Sequence, residues 1–214
     1  DSDNSQQLDI VGPRAVQMCT DVLSIDASQM PRFCRLSHPS ILAMRTDRGG
    51  HPGVRLWGSD LLSPRQELTA AGAVLMSSET RELLRVQWGE AGAGELTLEH
   101  NPWEAGLDDA IHMAKGCYTG QEVIARLDAY QKVKQHLVGL RLANPVAAGT
   151  PLEIAGSTVG VVTSVAQSPE LGGPALAYLR TAHCQTGTEV VAHSETASRP
   201  TDAVVSDLPF LMRR

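Results

Sequence analysis

The sequence is short of the residues that several function classes depend on. Aromatic side chains make up only 4% of it, so valine, leucine, isoleucine and alanine must fill the interior. Cysteine occurs four times, at Cys19, Cys34, Cys117 and Cys184, with no C-x-x-C pair. That scatter fits a reducing compartment better than a disulfide framework or a zinc knuckle, and it does not suggest that the chain holds an iron–sulfur cluster itself. Basic charge does not dominate either: the net charge is −6, so a phosphate backbone exerts no long-range attraction and a nucleic-acid partner is not expected. No apolar run approaches the ~18 residues of a spanning helix, and no signal peptide is visible. The expected setting is cytoplasmic, with no membrane partner. The chain opens on "DSDNSQQ" without a methionine, which suggests a fragment or a processed product.

What is present is enough for a real core. A chain of 214 residues suits one large domain or two small ones, burying roughly 70% of its unfolded surface. "GPRAVQMCTDVL" reads as a helix with Gly12 near the cap and Pro13 in its first turn; Ala15, Met18, Cys19 and Val22 recur at helical spacing, which makes Cys19 a core residue. "ILAMRTDRGGHPGVRLW" reads as a β-hairpin around a Gly/Pro-rich loop. In "SPRQELTAAGAVLM", Ser63 is placed to cap a helix, with Pro64 at its first position and Gln66 completing a capping box. After "ETRELLRVQW" comes a glycine-rich stretch, "GEAGAGELTLEHNPWEAGL", expected to be irregular. Beyond Leu127 the texture becomes β-rich, with short runs divided by turn residues, as in a small barrel or sandwich. The expected fold is therefore α+β, with an α/β region over residues 1–131 and a small β-domain over 132–214.

The segment "KGCYTGQEVIARL", residues 115–127, is where chemistry is expected. Thr119 to Glu122 match a capping box, with Thr119 as cap and Glu122 reaching back; Val123, Ile124 and Leu127 follow as an apolar face. Cys117 then lies close to a helix N-terminus and to Lys115, both of which favour a thiolate. Arg126 is spaced to pair with Glu122. The alternative is that Cys117 is a small buried residue beside ordinary capping. No histidine has a spacing that predicts pairing with Cys117, and the nearest two, His100 and His112, are expected in loops or at the surface.

"KGCYTGQEVIAR" resembles the K-G-C-[FY]-x-G-Q-E signature of the YgfZ family of folate-binding proteins, which are similar to the glycine-cleavage T-protein. "NPWEAGL" is similar to the family's P-x-E-A-G-L segment. "GSTVGVVTSVAQSPELGGPALAYL" and the final "SDLPF" resemble its C-terminal barrel. The resemblance implies a folate-binding α/β region followed by a C-terminal β-barrel, tetrahydrofolate as ligand, and a role in maintaining iron–sulfur enzymes, with client or assembly proteins as partners. It further implies that the family's N-terminal part, which supplies an acidic residue facing the folate, is not among these residues. The T-protein hairpin reads roughly Y-x-G-E-x-G-x-E, and in "RGGHPGVRLW" Arg55 falls at the place of its final glutamate.

Three readings follow from the resemblance. In the first, a tetrahydrofolate-binding protein assists iron–sulfur cluster assembly or repair. Cys117 is its functional thiol, tuned by Lys115, and Arg55, Trp57, Glu104, Tyr118, Gln121, Glu122 and Arg126 are the candidate cofactor contacts. In the second, the protein is an aminomethyltransferase passing a one-carbon unit to tetrahydrofolate. In the third, it is a folate-dependent scaffold whose cysteine is only structural.

Overall fold

The computed structural model describes residues 5–31, 35–38, 40–113, 115–130, 133–168, 173–193 and 200–210. The expectation for Cys34 lies outside them. The chain falls into two compact units, residues 1–77 and 78–214, so residues 78–131 group with the β-rich part that follows them.

In the first unit, β1 (Gln6–Val11), β2 (Arg35–His38), β3 (Ile41–Arg48) and β4 (His51–Gly58) form an antiparallel sheet in the order β1-β4-β3-β2. The expected hairpin is β3–β4. Its turn is only Gly49-Gly50, both at positive φ (54° and 81°), the combination a two-residue type I′ hairpin needs and one that side chains resist. Pro52 lies inside β4 rather than in the turn. Helix α1 (Ala15–Leu23) and helix α2 (Leu62–Ala70) complete the unit. Its core joins Cys19 and Ile25 to Ala43, Val54, Leu56 and Leu61, so Cys19 is a packing residue as its spacing implies. The first helix starts two residues after Pro13, at Ala15. The second also starts elsewhere than expected: the Asp60 carboxylate accepts the Leu62 N–H. The N-cap is Leu61, which makes no side-chain capping bond, and Ser63 lies inside the first turn, donating to Glu67.

The second unit begins with helix α3 (Ser78–Trp88) and a long run of turns, then helix α4 (Gln121–Tyr130). Strands β5 (Gln135–Leu142), β6 (Pro151–Ile154), β7 (Ser157–Val165), β8 (Gly173–Arg180), β9 (Glu189–Ala192) and β10 (Thr201–Ser206) close into a six-stranded barrel in the order β10-β5-β8-β7-β6-β9. Val138, Leu140, Leu142, Val162, Ala175, Ala177 and Leu179 belong to its interior cluster. Strand β8 is buried on both faces: its other set of side chains includes Leu176, which packs with Val86 of α3 and with Phe210, and Tyr178, which is fully buried. That second face is what the turn-rich segment covers.

Candidate functional site

The segment from Gly89 to Leu107 is irregular, as its glycines imply, yet it is pinned at several points. Glu95 is fully buried. Its Oε2 takes hydrogen bonds from Arg85 Nη1 at 3.0 Å and from the Gly92 N–H at 2.8 Å, and its Oε1 accepts the Ser164 hydroxyl at 2.6 Å. Burial by itself would raise this carboxyl, but these bonds, the Ser164 hydroxyl foremost, together with the Arg85 charge hold it below the usual carboxylate range. Arg85 also grips Glu82 and donates to Ser164. One guanidinium thus ties α3, the segment and the barrel together. The Tyr178 hydroxyl donates to the Glu95 carbonyl at 3.0 Å. Burial first, then the Glu95 and Glu104 charges, push this phenol up to about 12.

Pinned in this way, the segment presents His100 and Glu104. The His100 ring stacks on Tyr178, with centroids 3.7 Å apart and planes 29° apart, and its Nδ1 lies 2.9 Å from Gln135 Nε2. His100 lies in the loop its sequence context suggests and is mostly covered there, because Tyr178 offers it a buried ring to stack on. Glu104 is 6% exposed. It exchanges reciprocal bonds with Asn101, each 3.1 Å: the Asn101 N–H donates to Oε2, and the Glu104 N–H donates to Asn101 Oδ1. Its carbonyl accepts the Leu137 N–H of β5. Glu104 and Leu127 line two adjoining clefts, of about 560 Å³ and about 240 Å³. The larger also takes His100, Lys134, Gln135 and Arg180; the smaller takes Trp103 and His136. Buried Glu104 has a second oxygen, Oε1, that accepts no hydrogen bond among the described residues. A carboxylate in such a cleft suits a ligand with an N–H edge.

The Cys117 loop is open to solvent. Lys115, Gly116 and Cys117 are exposed, and the Lys115 ammonium sits 4.6 Å over the Tyr118 ring centroid, a cation–π contact. Helix α4 is capped by Gly120, not by Thr119. Gly120 has φ 89°, and its carbonyl accepts the Ile124 N–H, the first intrahelical bond. This places Glu122 one position too early to reach back as a capping box requires. Ile124 is buried and Leu127 half-buried, whereas Val123 is 60% exposed. Gln121 is half-buried; Glu122 and Arg126 are exposed, and among the described residues no ion pair joins them. Trp103 Nε1 donates to the Ile124 carbonyl at 3.4 Å, which links the helix to the Glu104 segment.

Arg55 and Trp57 lie in the first unit, on the same face of β4. Arg55 donates to Asp9 of β1, and its guanidinium carbon is 5.7 Å from the Trp57 ring centroid. The structure thus gathers Glu104, Tyr118 and the α4 residues in one unit and Arg55 with Trp57 in the other. Sequence reasoning missed Glu95, Tyr178, Lys134, Gln135 and Arg180, whose roles depend on a strand pairing and a loop path. The one signal that could have found them is the uninterrupted apolar run "PALAYL", which marks β8 as covered on both faces.

Residues 135–211 match the glycine cleavage T-protein C-terminal barrel domain. An aminomethyltransferase of Synechococcus elongatus is 33% identical over 97% of this chain and 59% of its own length. A chloroplastic protein of Arabidopsis thaliana, named provisionally as a transferase, is 38% identical over 69% of this chain and 33% of its own. The crystal structure of the glycine cleavage system aminomethyltransferase T from Bartonella henselae superposes with a TM-score of 0.82 over 97% of this chain and 60% of that one, at 21% identity; at that identity it bears on the fold alone. The chain spans 59% of the Synechococcus relative and 33% of the chloroplastic one. The class is a mixed α/β protein with a closed six-stranded C-terminal barrel. Within it, the barrel match and the aminomethyltransferase relatives support a T-protein-like superfamily assignment.

Proposed function

We propose that this chain belongs to a tetrahydrofolate-binding protein of the T-protein type that assists iron–sulfur cluster assembly or repair through Cys117. The observation that carries this reading is the setting of the thiols. Cys117 is exposed on a loop beside Lys115 and the start of α4. Cys19 is buried in the core, where desolvation pushes its thiol up to about 11, and Cys184 is half-buried and bonded to the Leu179 and Arg180 carbonyls. A thiol that must meet a partner has to be reachable. Bound folate supplies a carrier for a one-carbon unit, and in this reading Glu104 receives its N–H edge. In the same reading Tyr118, Gln121, Glu122 and Arg126 are candidate folate contacts and Lys115 attends the thiol. The scatter of cysteines supports a cytoplasmic, reducing setting.

The second reading is aminomethyl transfer to tetrahydrofolate, favoured by the names of the relatives. It needs no reactive sulfur. Two experiments on the full-length protein separate the readings. Cys117→Ser should still bind tetrahydrofolate yet fail to restore iron–sulfur enzyme activity in cells lacking the protein. Full rescue by a stable Cys117→Ser protein, together with turnover of an aminomethylated carrier protein, would favour the transferase. Loss of tetrahydrofolate affinity in Glu104→Gln tests the cleft in both readings.

A further inference from the structure

The smaller of the two clefts differs from its neighbour in charge. Glu104 and Asp108 both line it, and among the described residues no lysine or arginine does. In the larger cleft, Lys134 and Arg180 offset Glu99 and Glu104. Glu104 is 6% exposed. Its Oε2 accepts the Asn101 N–H, and Asn101 Oδ1 accepts the Glu104 N–H in return, the reciprocal pair of a capping box. That leaves Oε1 with no hydrogen bond among the described residues. A buried carboxylate oxygen without a donor carries a desolvation cost that a cation bearing N–H groups removes. Asp108 is exposed and adds a second negative charge, while Trp103, Leu127 and Val133 add apolar surface. Trp103 Nε1 is occupied by the Ile124 carbonyl at 3.4 Å. What this indole can still offer a ligand is its ring, the best aromatic face for a cation. The volume, about 240 Å³, lies below the roughly 300–1,000 Å³ of drug-sized sites, which limits the occupant to a small molecule.

We propose that the smaller cleft binds a small alkylammonium ion, which donates an N–H to Glu104 Oε1, shares its charge with Asp108 and lays its alkyl chain against Trp103, Leu127 and Val133. An anion would meet two carboxylates with no counter-charge. A neutral alcohol could donate to Oε1 but would gain nothing from the second charge. The inference does not rest on the folate reading: the two ligands would occupy different clefts and meet only at Glu104.

The test uses the full-length protein and three probes: n-butylammonium, tetramethylammonium and n-butanol. The reporter is the Trp103 indole N–H resonance, assigned with Trp103→Phe. n-Butylammonium should shift it saturably, with an affinity that falls as salt rises. Tetramethylammonium has the charge but no N–H and should bind more weakly, and n-butanol more weakly still. Glu104→Gln should weaken n-butylammonium binding by about tenfold, the scale of one hydrogen bond to a charged group. Asp108→Asn should weaken it by about twofold, as suits an exposed charge. Asp108 lies outside the capping box, so this second variant keeps the test open should circular dichroism show Glu104→Gln unfolded. Equal affinity for n-butanol and n-butylammonium, or variants that bind as the wild type does, would overturn the cation site. Tetrahydrofolate titrated alongside keeps the two readings apart. Folate binding without n-butylammonium binding removes this inference alone, and the converse removes the folate reading alone. If neither binds, both fall.

Discussion

Arg55 donates from Nε to Asp9 Oδ1 at 2.6 Å and from Nη2 to Oδ2 at 2.9 Å, and the two residues face each other directly across β1 and β4. The guanidinium marked out as a cofactor contact in the sequence therefore also holds an edge strand to its sheet. Because the pair is bidentate and only partly exposed, at 20% and 25%, it should exceed an ordinary surface ion pair. A double-mutant cycle with Asp9→Ala and Arg55→Ala should give a coupling of about 1 kcal/mol. A coupling near zero in denaturant melts would make the contact energetically idle.

Thiol labelling should follow exposure. In the folded protein at neutral pH, Cys117 should alkylate first and Cys184 slowly. Cys19 should stay unlabelled, since it is buried and its thiol is pushed up to about 11 by burial. Mass spectrometry of a timed iodoacetamide reaction reads the order directly, and early labelling of Cys19 would contradict the packing of the first unit.

The start of α4 offers a contrast between neighbours. Thr119→Ala should be close to neutral, within about 0.5 kcal/mol, because Thr119 makes no capping bond among the described residues. Gly120→Ala should cost about 1–2 kcal/mol, because position 120 needs a φ of 89° that a Cβ resists. Thermal melts that reverse this order would return the cap to Thr119.

Glu95 should make stability depend on pH. Its carboxyl is held below the usual range in the folded state, so its contribution is full above the unfolded value of about 4.3 and fades as pH falls through the folded value. Glu95→Gln should cost about 1.5–3 kcal/mol at pH 7, the scale of a hydrogen bond to a charged group. The gap between wild type and variant should close as pH is lowered below about 4.3. A gap that stays constant from pH 7 to pH 3 would mean that the Glu95 carboxyl titrates alike in the folded and unfolded states.

Local patterns in the sequence determined a good part of this protein. The hairpin, the core role of Cys19, the irregular glycine-rich segment and the run of short strands after Leu127 can all be read from neighbours a few residues apart, because periodicity and turn chemistry act over that range. Residues 115–127 stand out by a cysteine beside a helix start, and residues 101–107 by their resemblance to a family segment. The caps were misread for a physical reason. Ser63 and Thr119 both look like caps, but the backbone enters the two helices at Leu61 and Gly120 instead. The tertiary structure alone decided what lies against β8. It buried Tyr178, stacked His100 on it, enclosed Glu95 with Arg85 and Ser164, and paired Gln135 with Arg180 beside the Glu104 cleft. Those contacts join residues far apart in the chain, such as Glu95 and Ser164. Only closure of the barrel and the path of the segment laid over it bring them within reach of one another.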